Sequence, residues 1–276
     1  MSISQDYSEF LRSFQSAKFT SLWPAQAHVL PQYSDSYTDK IDVGVELPTG
    51  GGKTLIALLI AEAWRREDRK VAILSANKTL ARQMEAEANE LGIPAALMEG
   101  AGPSIPVRDR RDYQRTQKIA LMNYWAYFNQ NPVVDNAGLL IMDDAHLAEH
   151  CLHSLWSIEI DHYAHASLFT DLITELINKF PEYRILHDAI DANALSSSPP
   201  EPLSFIDQWH VADRVREIID TSPLLESNTD LSFRWRRLRN VLCEANIYVS
   251  ARSIWIRPYI YPLISKDHYT NASQRI

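Results

Sequence analysis

The fold of this chain is decided by the stretch Asp42-Val43-Gly44-Val45-Glu46-Leu47-Pro48-Thr49-Gly50-Gly51-Gly52-Lys53-Thr54. A strand-like segment leads into three glycines and a Lys-Thr pair, and the apolar run Leu55-Ile56-Ala57-Leu58-Leu59-Ile60 follows, long enough for a buried helix. This order of strand, glycine loop and helix is typical of a loop that binds phosphate. Glycines let backbone N–H groups turn toward an anion, and the positive end of the helix dipole faces the same point.

The polar residues of this loop have distinct predicted roles. Lys53 reaches the β- and γ-phosphates of a nucleoside triphosphate, and the Thr54 hydroxyl ligates Mg²⁺. The backbone that surrounds the phosphates is that of Thr49, Gly50, Gly51 and Gly52. The strict pattern has a glycine where this chain has Leu47, so a glycine turn before a core helix remains the alternative interpretation.

A second acidic element follows about ninety residues later, in the stretch Gly138-Leu139-Leu140-Ile141-Met142-Asp143-Asp144-Ala145-His146. Apolar residues that end in acid predict a buried parallel strand whose carboxyl end opens into a cleft. We predict that Asp143 holds Mg²⁺ and that Asp144 orients or deprotonates the attacking water. A strand that ends in a solvated acidic turn is the alternative interpretation.

Together the two stretches resemble motifs I and II of superfamily 2 helicases of the DEAD/DEAH class. Between them, the stretch Ala76-Asn77-Lys78-Thr79-Leu80-Ala81-Arg82-Gln83 resembles motif Ia, which contacts the nucleic-acid backbone. The stretch Ile119-Ala120-Leu121-Met122-Asn123-Tyr124 resembles the segment before motif II in XPD-like and DinG-like helicases. Upstream, Leu22-Trp23-Pro24-Ala25-Gln26 resembles the element whose Gln contacts adenine. The resemblance covers roughly residues 19–150.

The resemblance implies an α/β, RecA-like P-loop NTPase domain with a parallel sheet, and ATP and Mg²⁺ as cofactors. The implied catalytic residues are Lys53, Asp143, Asp144 and His146, and the implied magnesium ligands are Thr54 and Asp143. The implied nucleic-acid contacts are Asn77, Lys78, Thr79, Asn123 and Tyr124. Gln26 would contact adenine, although ordinary packing remains the alternative. The family usually has Glu at position 144, so the general base is retracted here by about one methylene.

Composition limits the partners and the compartment. The chain has 276 residues, a formal net charge of −8 and a pI near 5.6, so contacts with a nucleic acid must come from a local patch. We expect single-stranded or forked nucleic acid, with DNA favoured. Two cysteines favour a reducing cytoplasm and exclude a four-cysteine iron–sulfur cluster. The longest apolar run, residues 55–64, is too short to cross a membrane. Zinc is disfavoured because the histidines at 146–165 lack a second pair with metal-ligand spacing.

Three regions are predicted along the chain. Residues 1–150 form the RecA-like domain, in which a helix begins at 75–77 and ends at Gly92. Residues 151–245 form a mainly helical insert after motif II, with helices over 164–180, 206–221 and 231–245. Residues 246–276 form a hairpin that returns toward the first domain.

The predicted function is that of the first RecA-like domain of an ATP-dependent DNA helicase. The sequence ends before motif III and before a second RecA-like domain with its arginine finger. We therefore expect the chain alone to be nearly inactive and to need that domain or a partner chain. The alternative is a nucleotide-binding or protein-interaction module that works through a partner and unwinds nothing. A P-loop kinase is disfavoured because no lid or acceptor site is evident.

Overall fold

The computed structural model describes residues 6–100, 102–129, 131–190, 199–258 and 269–276. The chain divides into two compact units, Met1–Cys151 with Leu263–Ile276, and Leu152–Pro262. Residues 259–268 of the predicted return hairpin and residues 1–5 of the predicted first domain lie outside the described residues.

The first unit is built on a five-stranded parallel sheet in the order β2-β3-β1-β4-β9. Its strands are β1 (Val71–Ser75), β2 (Ala95–Leu97), β3 (Ile119–Asn123), β4 (Leu139–Met142) and β9 (Gln274–Arg275). Its helices are α1 (Tyr7–Ser13), α2 (Pro24–Ser36), α3 (Lys53–Arg66), α4 (Lys78–Leu91), α5 (Val107–Gln114) and α6 (Tyr124–Tyr127), and α7 (His146–Leu155) crosses the boundary between the units. This architecture confirms the predicted α/β, RecA-like fold class.

The sheet and helix α3 form the core of this unit. All five residues of β1 and all five of β3 are buried, as expected for parallel strands that are covered on both faces. Helix α3 buries ten consecutive residues, 55–64, so the helix after the glycine loop is fixed in the protein interior. Because strand ends and helix starts meet at one edge of the sheet, the loops there are held by a rigid scaffold.

The segment before the glycine loop differs from its prediction as a strand. Asp42 makes a single parallel bridge with Arg275, and the Val43 N–H donates to the Arg275 carbonyl at 2.9 Å. Among the described residues, no backbone hydrogen bond is recorded for 44–47. The physical reason is that the neighbouring strand β9 is only two residues long, so the segment has a ladder partner at its start alone.

The C-terminal segment is anchored in the first unit by Gln274, which is completely buried. Its amide nitrogen donates to the carbonyls of Tyr37 and Lys40, both at 2.7 Å, and its amide oxygen accepts from the Tyr33 hydroxyl at 2.6 Å. The Trp64 indole N–H in turn donates to the Tyr33 hydroxyl at 2.8 Å. Since every group in this chain of bonds has a partner, the network holds β9 in register beside β4.

Replacing Gln274 with Ala is expected to lower the free energy of unfolding by about 3 kcal/mol, because two carbonyls and a hydroxyl lose a buried partner. Urea unfolding followed by circular dichroism measures this change. Gln32→Ala is the matched control, since Gln32 is an exposed Gln on α2, and its effect should stay within about 0.5 kcal/mol. Equal stability of the two variants would contradict the anchoring role.

The second unit combines helices with a four-stranded antiparallel sheet in the order β5-β8-β7-β6. The strands are β5 (Ile158–Asp161), β6 (Glu201–Pro202), β7 (Ala245–Val249) and β8 (Ser253–Pro258). The helices are α8 (Ala166–Lys179), α9 (Arg184–Ile190), α10 (Phe205–Asp220), α11 (Leu224–Ser227) and α12 (Thr229–Leu238), followed by a 3₁₀ segment at Arg239–Glu244. Among the helices of the described residues, none combines the length and apolar composition needed to cross a bilayer.

The sequence predicts a mainly helical insert and a return hairpin in this part of the chain. The hairpin β7–β8 is present, but its strands pair with β5 and β6 of the second unit. Alternate residues of the hairpin, such as Ile247 and Ile254, are buried in the same core as Trp235 of α12. The apolar face of the hairpin is thus covered by the helices of its own unit. The boundaries 151–245 and 246–276 remain sequence predictions.

Candidate nucleotide-binding site

The glycine loop has the backbone geometry that the sequence predicts. Gly50 and Gly52 have positive φ angles of 79° and 74°, which residues other than glycine rarely adopt. The Gly51 N–H donates to the Pro48 carbonyl at 3.0 Å and closes the turn. Gly52 is the N-cap of α3, so Lys53 and Thr54 occupy the first turn of a buried helix. The free N–H groups of that turn and its dipole favour an anion beside the loop.

Gln26 supports this loop from helix α2 and is only 2% exposed. Its amide nitrogen lies 3.4 Å from the Gly51 carbonyl oxygen and 3.3 Å from that of Gly52. Its amide oxygen accepts from the Trp23 N–H at 2.9 Å. The structure therefore places Gln26 against the loop backbone, whereas the sequence prediction directed its amide to adenine.

Gly52→Ala is expected to lower the free energy of unfolding by about 2–3 kcal/mol, since a Cβ there would lie 2.1 Å from the Gln26 amide nitrogen on a positive-φ backbone. Gly92→Ala is the matched control, because Gly92 also has a positive φ but open space around it. It should cost about 1 kcal/mol. Urea unfolding of both variants measures the difference. An equal loss of unfolding free energy in the two variants would show that the contact with Gln26 does not contribute to the cost.

Lys53 and the acidic pair meet although 91 positions separate them in the chain. The Lys53 Nζ lies 3.1 Å from Oδ1 of Asp144, and the two side chains are 40% and 39% exposed. Asp144 has a positive φ of 53°, a conformation that Asp tolerates better than most residues. Asp143 is held by its backbone, since its N–H donates to the Leu74 carbonyl of β1 at 2.9 Å.

Burial raises the pKa of Asp143, the neighbouring Asp144 raises it further, and Lys53 opposes the shift. A half-buried carboxylate beside a second carboxylate is stabilised by a cation that binds close to both. Thr54, in the first turn of α3, is the hydroxyl predicted to share that cation. An oxygen donor set of this kind fits Mg²⁺, which keeps several waters and takes few protein ligands beside a nucleotide.

A cavity of about 490 Å³ adjoins these residues in the first unit. One wall is the extended segment 42–47, and the other is the end of β4 with the acidic pair. Lys53 and His146 also line it, so His146 lies on the same cavity as the acidic pair. Tyr269 and Arg275 are lining residues that no sequence motif predicted. No local motif marks Arg275, because the pairing of β9 with β4 brings it there.

The residues predicted to contact a nucleic acid fall into two groups. Asn77, Lys78 and Thr79 are exposed at the start of α4, where the Asn77 side chain caps the helix by accepting from the Leu80 N–H at 3.0 Å. In contrast, Asn123 and Tyr124 are buried.

The structure gives Asn123 and Tyr124 internal roles instead of the predicted surface contact. The Asn123 side chain accepts from the Ala126 N–H at 2.8 Å and caps α6. The Tyr124 hydroxyl donates to the Asp143 carbonyl at 2.6 Å, and its ring is fully buried. Tyr124 is therefore a support of the acidic pair. A sequence motif does not reveal which side chains the neighbouring elements cover.

Across the described parts of the chain, no group of three or more His, Cys, Asp and Glu side chains is arranged to hold a metal ion. Cys151 and Cys243 are free, and burial raises the pKa of the Cys151 thiol to about 12.

A glycine loop at a helix start, facing an acidic pair at the end of a parallel strand, defines a RecA-like nucleotide-binding domain. Residues 23–154 match the family model of the DEAD/DEAH box helicases. This match confirms the resemblance to the DEAD/DEAH class that the sequence shows. Residues 23–154 therefore form an ATP-binding domain of the helicase type.

Comparison with curated proteins gives no significant match. Among solved structures, Xpd4 of S. tokodaii is similar at 16% sequence identity with a TM-score of 0.45. The match covers 82% of this chain and 50% of that chain, so this chain spans about half the length of the solved relative. A likeness at this level supports no conclusion about substrate or partner.

Proposed function

We propose that this domain binds Mg·ATP between the glycine loop and the acidic pair and, within a helicase, uses ATP hydrolysis to move along single-stranded or forked nucleic acid, with DNA favoured. The observation that carries the proposal is the 3.1 Å ion pair between Lys53 and Asp144. The ion pair supports the proposal because the lysine that would bind phosphate and the carboxylate that would act as general base lie within hydrogen-bond distance of each other. The family assignment of residues 23–154 supports the same function.

Lys53 has two competing partners in this proposal. In the structure it pairs with Asp144, and the pair is weak because both side chains are partly exposed to water. The phosphates of a nucleotide carry more negative charge than one carboxylate, so they attract Lys53 away from Asp144. Asp144 is then free to accept a proton from the attacking water. Nucleotide binding thus prepares the general base.

The remaining residues of the site have supporting roles. The Asp143 carboxylate and the Thr54 hydroxyl would hold Mg²⁺, which neutralises charge on the transferred phosphoryl group when it is bound. His146 lies next to the acidic pair on the cavity and would bond a reacting or neighbouring oxygen. The exposed start of α4, with Asn77, Lys78 and Thr79, would contact the phosphate backbone of a single strand. A cytoplasmic location remains a prediction from the cysteine count.

A direct test measures binding and turnover by the purified chain. We expect Mg²⁺-dependent ATP binding and tighter binding of single-stranded than of duplex DNA, both by fluorescence anisotropy. Among the described residues, the ion pair of Asp144 is with a lysine, Lys53, and no arginine is paired with it. An arginine finger contributes about a thousandfold or more in rate, so phosphate release by the chain alone should stay near background. Absence of ATP binding would refute the proposal, and robust DNA-stimulated turnover by a monomer would refute the need for a further domain.

A further inference from the structure

The amide nitrogen and oxygen of Gln26 both form hydrogen bonds within the protein. An amide NH₂ group has two hydrogens, and both face the carbonyls of the phosphate loop, those of Gly51 and Gly52. The orientation of the amide is fixed, because the Trp23 N–H only donates and the loop carbonyls only accept. A Gln that recognises adenine must donate to ring nitrogen N7 and accept from the N6 amino group. Gln26 cannot make that donation without releasing the loop.

Steric contact gives the same result independently of the hydrogen bonds. A Cβ built on Gly52 would lie 2.1 Å from the Gln26 amide nitrogen, so the amide occupies the space beside the loop backbone. With an exposed fraction of only 2%, Gln26 presents almost no surface to a ligand.

Trp23 presents the surface that Gln26 lacks. Trp23 is 58% exposed, and one of its ring carbons, Cε3, lies 4.0 Å from where a Cβ on Gly52 would be. An indole ring stacks on any nucleobase, since every base has a π-face. Stacking of this kind contributes affinity without selecting the base.

We propose that Gln26 is a positioning residue for the phosphate loop, that Trp23 holds the nucleobase by stacking, and that the site therefore accepts nucleoside triphosphates of any base. This inference rests on the proposed nucleotide binding and goes beyond it by defining the substrate class. The two bonds from Gln26 to the loop are long, so the loss of both should weaken phosphate binding by about tenfold.

The test compares nucleotides with a ligand that has no base. Calorimetric titrations use Mg·ATP, Mg·GTP and Mg·tripolyphosphate on the whole chain. In the unmodified protein, we expect ATP and GTP affinities that agree within about threefold. Gln26→Ala should weaken all three ligands by the same factor. Trp23→Ala should weaken the binding of ATP and GTP by about tenfold and leave the affinity for tripolyphosphate unchanged. Gln32→Ala, on the exposed side of α2, is the control and should change none of them.

Each outcome decides between the roles. If Gln26→Ala weakens ATP but not tripolyphosphate, Gln26 reads the base and the inference is wrong. If the unmodified protein binds ATP more than about tenfold tighter than GTP, the inference is also wrong, and this comparison needs no variant to fold. Absence of binding by both nucleotides would instead refute the proposed function, and the inference with it. If Gln26→Ala lowers the unfolding temperature but leaves the affinity for tripolyphosphate unchanged, Gln26 has a purely structural role and the inference is wrong.

Discussion

Lys53→Ala is expected to weaken Mg·ATP binding by about a hundredfold or more, because the variant loses charge-assisted bonds from Lys53 to two phosphates. The fold should survive the change. Lys53 lies in the first turn of α3 with 40% of its side chain exposed, and its ion pair with Asp144 contributes little at that exposure. The free energy of unfolding should therefore change by less than about 1 kcal/mol.

Isothermal titration with Mg·ATP measures the loss, and urea unfolding checks the fold. Lys40→Ala is the matched control, since Lys40 is an exposed lysine of the same unit whose ion pair, among the described residues, is with the adjacent Asp39 at 3.5 Å. It should bind ATP as the unmodified chain does. Equal affinity of the Lys53 and Lys40 variants would show that the glycine loop does not bind phosphate.

Asp143→Asn is expected to weaken Mg²⁺-dependent nucleotide binding by about tenfold to a hundredfold, as for other residues that hold a bound metal in place. The same change should not destabilise the metal-free protein. The raised pKa of Asp143 means that its ionised form is less favourable in the folded than in the unfolded state. That cost exists at pH values above the folded pKa and disappears below the unfolded pKa. A neutral amide removes it, so the variant should be as stable as the unmodified chain at pH 7, or more stable.

Nucleotide titrations with Mg²⁺ and with EDTA separate the two effects, and urea unfolding in EDTA measures stability. Asp144→Asn is the comparison variant. It should keep Mg²⁺-dependent binding, since Asp144 is assigned to the attacking water and not to the metal. Loss of magnesium dependence in the Asp144 variant, but not in the Asp143 variant, would reverse the two roles.

Local signals in the sequence predicted much of the first unit correctly. Helix α4 begins after the cap Asn77 and ends at Gly92, which has a positive φ of 72°, close to the predicted bounds. Apolar runs predicted the buried strands β1 and β4, and the glycines predicted a loop at the start of α3. These features depend on neighbours within a few residues, so a single sequence contains the information.

The second unit shows where such signals were insufficient. The strands of the hairpin β7–β8 are visible as alternating apolar residues, but their partners β5 and β6 are distant in sequence. Helix α12 also ends earlier than predicted, at Leu238, where a 3₁₀ segment with a non-helical Val241 follows.

The sequence by itself determined that a phosphate-binding loop, a buried helix and an acidic strand end occur in this order, because each depends on residue types at short spacing. Only the tertiary structure decided which of these side chains are buried and which lie side by side. It buried Tyr124 beneath Asp143 and turned the Gln26 amide onto the loop, while it brought Lys53 within 3.1 Å of Asp144. Burial and hydrogen-bond partners are set by elements far apart in the chain, and the order of residues does not specify them.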